Sequence, residues 1–150
     1  RTRSMPEFNT IREVLTLFGL KRVQSWTTML SISSIDEVIP EVFITALSRA
    51  IFMRNLAVKE SLIDPESFYL AGMFSLLDVI MGQPLETVLQ QLPISQFIID
   101  GLIEKQGDYG RVIAVAESYE RGQPETDDQD VANIYLQAFQ QTQKLFSELS

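Results

Sequence analysis

The stretch SFYLAGMFSLLDVIMG, residues 67–82, indicates the fold because only one of its side chains, Asp78, is charged. Apolar residues cover most of the helix that it predicts, and a helix that is apolar nearly all round belongs inside a bundle. Gly72 has no side chain, so a neighbouring backbone is expected to approach it closely. Small or polar residues recur at helical offsets and form one narrow stripe: Ala71, Ser75, Asp78 and Gly82.

Asp78 is the residue of this helix that most needs an explanation. A buried carboxylate without partners is costly, so we expect Asp78 to accept hydrogen bonds from Ser75 or from backbone N–H groups nearby. A general base or a metal ligand would need a second convergent group, and the sequence nominates none. We therefore interpret Ser75 and Asp78 as structural polar residues of the core helix.

Helical spacing of apolar residues runs through nearly the whole chain, and no sustained alternation of period two predicts a strand. A chain of 150 residues that is 45% hydrophobic has enough apolar residues to form one hydrophobic core. No apolar run reaches the ~20 residues that a membrane span needs. These features predict an all-α, compact multi-helix bundle. Within residues 35–57 we expect a long helix with Pro40 in its first turn and with Arg49 and Arg54 on its wetter side.

The overall charge and two missing residue types exclude several function classes. A net charge of −8 argues against nucleic acid and against anionic lipid surfaces as partners. The chain has no Cys and no His, which excludes thiolate nucleophiles, zinc–sulfur sites and histidine-dependent catalysis. We expect a cytoplasmic protein without a cofactor. Because the chain begins with Arg1, we also expect it to be a piece of a longer polypeptide.

The sequence GQPETDDQD, residues 122–130, marks a change in composition. It predicts a boundary between a helical domain, residues 1–122, and an acidic linker with an amphipathic C-terminal helix, residues 123–150. We expect this helix to pack on the core rather than to reach for a partner. If it does bind a partner, the contact residues are Ile134, Phe139 and Phe146.

Four motifs in chain order resemble the HDOD domain, a helical relative of the HD and HD-GYP metal phosphohydrolases. They are TLFGLKRVQSW at 16–26, YLAGMFSLLDVIMGQPLETVL at 69–89, LPIS at 92–95 and AESYERG at 116–122. The resemblance covers roughly residues 9–122 and is greatest to the HDOD halves of bacterial proteins that carry an EAL domain upstream. From the resemblance we expect the first helices of a full HDOD domain to be missing upstream of Arg1, and the segment after Gly122 matches no motif.

The resemblance implies a bundle of the HD/HDOD type without a metal centre. In the catalytic relatives a Gly-Leu-Leu-His-Asp-type helix supplies metal ligands; aligned on Gly72, the His and Asp places here hold Ser75 and Leu76. Serine is a poor metal ligand and leucine is none. The implied role is a non-catalytic regulatory or protein-interaction domain in bacterial signalling. An upstream EAL domain would link it to cyclic di-GMP, and the partner would be a further signalling protein.

Three alternatives stay open. A carboxylate-held Mg²⁺ could support a phosphohydrolase or phosphodiesterase, with acids drawn from three groups: Asp36 with Glu37, Glu117 with Glu120, and Asp127 with Asp128 and Asp130. A small ligand could bind between helices, because such sites need few diagnostic residues. The chain could also form a homodimer.

Overall fold

The computed structural model describes residues 39–149, and every regular element among them is an α-helix. This confirms the all-α prediction. The motif TLFGLKRVQSW, together with Asp36 and Glu37, lies outside the described residues. The helices are α1 (Ile39–Lys59), α2 (Pro65–Phe74), α3 (Leu77–Met81), α4 (Leu85–Gln90), α5 (Gln96–Glu104), α6 (Gly107–Glu120) and α7 (Gln129–Leu149).

Helix α1 is the central element because it contacts α2, α3, α6 and α7. Its face toward these helices is fully buried, with Ala50, Phe52 and Met53 all 0% exposed. The smaller helices α4, α5 and α6 continue the bundle by packing in sequence, α4 on α5 and α5 on α6. None of the helices in residues 39–149 combines the length and the apolarity that crossing a bilayer requires.

The expected close approach at Gly72 is confirmed. A Cβ atom placed there would lie 2.6 Å from the Cα atom of Ala50 and 2.8 Å from its backbone nitrogen. Helix α2 therefore packs directly against the backbone of α1 at this point. No larger residue fits without moving one helix, so Gly72 fixes the separation of the two helices that share the largest interface.

The prediction of one continuous helix over residues 67–82 is wrong. Helix α2 ends at Phe74, and Leu76 (φ −115°, ψ 15°) leaves the helical region before α3 begins. The Ser75 hydroxyl donates to the carbonyl of Gly72 at 2.7 Å, and the Ser75 N–H bonds the same carbonyl at 3.3 Å. Helix α2 thus ends in a tighter turn at Ser75, where both the hydroxyl and the N–H bond the carbonyl three residues back.

The C-terminal helix α7 packs along α1, as expected from its amphipathic pattern. Ala138 and Thr142 are both 0% exposed, and the Thr142 hydroxyl donates to the carbonyl of Ala138 at 2.8 Å. The connection before α7 is also anchored, because the N–H of Glu125 donates to the hydroxyl of the buried Ser118 at 3.1 Å. The boundary at residues 122 and 123 stays a prediction.

Candidate functional site

Arg49, Ser75 and Glu120 form a polar group in the bundle that we call the arginine cluster. The Arg49 side chain is only 6% exposed. Its Nε donates to Glu120 Oε2 at 3.0 Å and one Nη to Oε1 at 2.5 Å, while the other Nη donates to Ser75 Oγ at 2.8 Å. The pairing with Glu120 is the bidentate fork that a planar guanidinium makes with a carboxylate.

The arginine cluster joins three distant parts of the chain. Arg49 comes from the middle of α1, Ser75 from the turn between α2 and α3, and Glu120 from the last residue of α6. The prediction that Arg49 faces water is therefore wrong. Two partners from elsewhere in the chain satisfy its guanidinium, and apolar spacing along α1 alone could not reveal them.

Aromatic rings border the arginine cluster. The rings of Tyr119 and Tyr135 stack with centroids 4.8 Å apart, and Phe52 meets Tyr135 edge-on at 5.6 Å. Burial raises the pKa of Tyr135, the charge of Glu120 raises it further, and the charge of Arg49 opposes both. The tyrosines thus bring α6 and α7 together beside the buried ion pair.

We predict that stability falls above the ordinary tyrosine pKa of 10.0. Burial is the largest cause that raises the pKa of Tyr69, Tyr119 and Tyr135, and Arg54 partly opposes it at Tyr69. Between pH 10.0 and the raised values the unfolded chain has lost phenol protons that the folded chain retains. The folded state then binds more protons, so the free energy of unfolding decreases as the pH rises through this window and is unaffected below it.

Phenolate absorbance tests this prediction. The folded protein should titrate at higher pH than the same protein in denaturant, and Tyr69→Phe with Tyr135→Phe should reduce the alkaline loss of stability. Coincident titration curves for the folded and denatured protein would contradict it.

Asp78 makes no hydrogen bond to the arginine cluster and instead bonds a neighbouring backbone group. It is half-buried, and its Oδ1 accepts a hydrogen bond from the N–H of the next residue, Val79, at 2.9 Å. The Val79 N–H is a backbone donor of the kind expected for Asp78, whereas the Ser75 hydroxyl is not its donor, because that hydroxyl donates to Gly72 and accepts from Arg49. The helix break after Phe74 changes the direction of the stripe that a continuous helix would have kept aligned.

The residues proposed for partner binding on α7 differ in burial. Ile134 is half-buried and packs against the core, whereas Phe139 is 41% exposed. The side chain of Phe146 lies outside the described part of the structure. Leu136, at 53% exposure, also faces outward from this helix and was not singled out from the sequence.

Several of the acidic residues that could have held Mg²⁺ form ion pairs with different basic side chains. Glu120 belongs to the arginine cluster, while Glu117 pairs with Lys105 at 3.8 Å. Asp128 pairs with Lys59 at 3.7 Å. Across residues 39–149, no group of three or more His, Cys, Asp or Glu side chains is arranged to hold a metal ion.

A cleft of about 920 Å³ opens at another part of the bundle, and we call it the acidic cleft. It lies where the α1–α2 connection meets the starts of α2, α5 and α6. Every charged side chain that lines it is an aspartate: Asp64, Asp100 and Asp108. Its size falls in the range of ligand pockets, ~300–1,000 Å³. The acidic cleft is therefore a candidate location for the small-ligand site that the sequence left open as an alternative.

The chain is distantly similar in sequence to two known proteins. It is 25% identical over 151 aligned residues to "Uncharacterized protein YuxH" of Bacillus subtilis (strain 168), covering 93% of this chain and 37% of that protein. It is 26% identical over 115 residues to "Cyclic di-GMP phosphodiesterase CdgJ" of Vibrio cholerae, covering 75% of this chain and 27% of that protein. No family model and no solved structure matches. The aligned part of the chain thus spans only 37% and 27% of the length of these two relatives.

Proposed function

We propose that this chain is a non-catalytic regulatory domain of a longer polypeptide that takes part in cyclic di-GMP signalling. The proposed pathway rests on the distant relative in Vibrio cholerae, which is named as a cyclic di-GMP phosphodiesterase. The domain would belong to the HDOD type that its motifs resemble, with an EAL domain upstream. Its task would be to couple that neighbouring region to a further signalling protein.

The arginine cluster is the observation that carries the non-catalytic part of this proposal. By the HDOD resemblance, Ser75 stands at the position of a metal-binding His, yet its hydroxyl accepts a hydrogen bond from the guanidinium of Arg49 at 2.8 Å. The carboxylate of Glu120 holds the same guanidinium in a bidentate pair. Because arginine keeps its positive charge at any physiological pH, these residues do not fit a metal cation.

Hydrolysis of cyclic di-GMP by the complete polypeptide tests the regulatory role. We expect removal of residues 1–150 to change the rate by about fivefold or more, the scale of typical coupling between sites. Arg49→Met, which disturbs the domain while keeping it present, should shift the rate in the same direction. A rate that neither change alters would contradict a regulatory function.

The rival function is phosphodiester hydrolysis by the domain itself with carboxylate-held Mg²⁺. Glu117→Gln and the pair Asp127→Asn/Asp128→Asn should leave hydrolysis by the complete polypeptide within about twofold of wild type, because surface substitutions seldom disturb a distant site. Loss of turnover in either variant, with the helical circular dichroism spectrum intact, would favour the rival.

A further inference from the structure

The floor of the acidic cleft is built from packed and hydrogen-bonded side chains. Ser67 is 3% exposed, and its hydroxyl donates to the carbonyl of Asp64 at 2.6 Å and lies 2.7 Å from the hydroxyl of Tyr109. The rings of Phe68 and Tyr109 contact each other with centroids 4.5 Å apart. These contacts join α2 to α6, so the concave shape of the cleft is set before any ligand arrives.

Two bulky apolar side chains that line the acidic cleft are exposed to solvent. Ile63 is 90% exposed and Phe97 is 79% exposed, the highest values among the large exposed hydrophobic residues of the described chain. Ile63 lies in the α1–α2 connection and Phe97 in the first turn of α5, so two separate segments present them. Exposed apolar groups that border a cleft typically mark a binding surface. Both line the cleft, so a ligand bound there would meet apolar side chains from two segments of the chain.

The charge of the cleft selects the ligand further. Asp64 makes no capping hydrogen bond to α2, and Asp100 accepts only a neutral donor, Gln96, at 2.8 Å. Asp108 is partly compensated by Arg111 at 3.3 Å. The net charge of the chain, −8, adds a long-range field of the same sign. An anionic ligand would be repelled, whereas Lys or Arg side chains would be attracted.

We propose that the acidic cleft binds a basic peptide segment of a partner protein, with a bulky apolar residue against Ile63 and Phe97 and one or more Lys or Arg side chains toward Asp64 and Asp100. An apolar anchor surrounded by complementary charge is a common form of peptide recognition. This inference deepens the proposed regulatory role and rests on it, because it names the chemistry of the signalling partner.

Selection of random phage-displayed peptides on the complete polypeptide tests the proposal. We expect enriched peptides to combine Arg or Lys with an aromatic or large aliphatic residue. A synthetic copy of the best peptide should bind Ile63→Ser/Phe97→Ser about tenfold or more weakly than wild type, as for loss of central anchors. Asp64→Asn/Asp100→Asn should weaken binding about fivefold or more and reduce its salt dependence.

Matched controls separate the cleft from the rest of the surface. Leu136→Ser and Glu86→Gln alter an exposed apolar residue and an exposed acid away from the cleft, and should leave affinity within about twofold. No enrichment, enrichment of peptides without a basic residue, or binding that the cleft variants do not weaken would each overturn the proposal. Because no peptide is present in the cyclic di-GMP hydrolysis assay, a failure here is distinguishable from a failure of the regulatory role.

Discussion

Arg49→Met is expected to lower the free energy of unfolding by about 3–5 kcal/mol, because removing one partner of a buried ion pair leaves the other uncompensated. The loss should lie toward the lower end of that range, since the Glu120 side chain keeps 23% exposure and water can reach it. Ser75 also loses its donor from α1. Urea unfolding followed by circular dichroism measures the change.

Arg111→Met is the matched control. Arg111 is also an arginine in ion pairs, with Glu60 at 2.8 Å and Asp108 at 3.3 Å, but its side chain is 46% exposed. Exposed pairs contribute ~0–1 kcal/mol, so this variant should stay close to wild type. An equal decrease in the free energy of unfolding in the two variants would show that burial does not make the Arg49 ion pair more stabilising than an exposed one.

Gly72→Val is expected to destabilise the domain by about 2–3 kcal/mol, because its Cβ atom would overlap backbone atoms, which cannot rotate away. The nearest atoms are the Cα of Ala50 at 2.6 Å, the nitrogen of Ala50 at 2.8 Å and the carbonyl carbon of Arg49 at 3.0 Å. Helices α1 and α2 must therefore separate. The same unfolding measurement applies, and loss of packing should also appear as increased exposure of Phe68 and Phe74 to solvent.

Gly82→Asn provides the comparison for this position. Gly82 has φ +68°, and a Cβ atom there meets nothing within 4 Å. Asparagine tolerates the left-handed region better than most residues, so the cost should stay below about 1 kcal/mol. If Gly72→Val proved as mild as Gly82→Asn, the close approach of α1 and α2 would not limit the packing.

The parts of the fold that depend on local pattern could be predicted from the sequence. The helical period of the apolar residues gave the all-α class, and the absence of a side chain at Gly72 indicated close packing. The amphipathic pattern of residues 129–149 predicted a helix that covers the core, and Ala138 and Thr142 are buried as such a pattern requires. In each case the information lies in the segment itself.

The parts that depend on partners elsewhere in the chain could not be predicted. The apolar spacing of α1 predicts a more exposed face for Arg49, and nothing within α1 reveals that Glu120, 71 positions away in the sequence, lies beside it in space. The contacts of Ser75 are of the same kind, because its hydroxyl donates to the preceding turn and also accepts a hydrogen bond from Arg49 of α1. The acidic cleft is likewise built from three connections whose residues show no common motif.

By the HDOD resemblance, the guanidinium of Arg49 stands where the HD phosphohydrolases would hold a metal ion, and the proposed non-catalytic role depends on this placement. The direct test is the manganese content of the complete polypeptide after dialysis against Mn²⁺, compared for wild type, Ser75→Ala and Glu120→Gln. We predict the same manganese content in all three proteins, because Ser75 and Glu120 already accept hydrogen bonds from Arg49 and are not available to bind a metal ion. Additional manganese in the wild type that both variants lose would contradict the account.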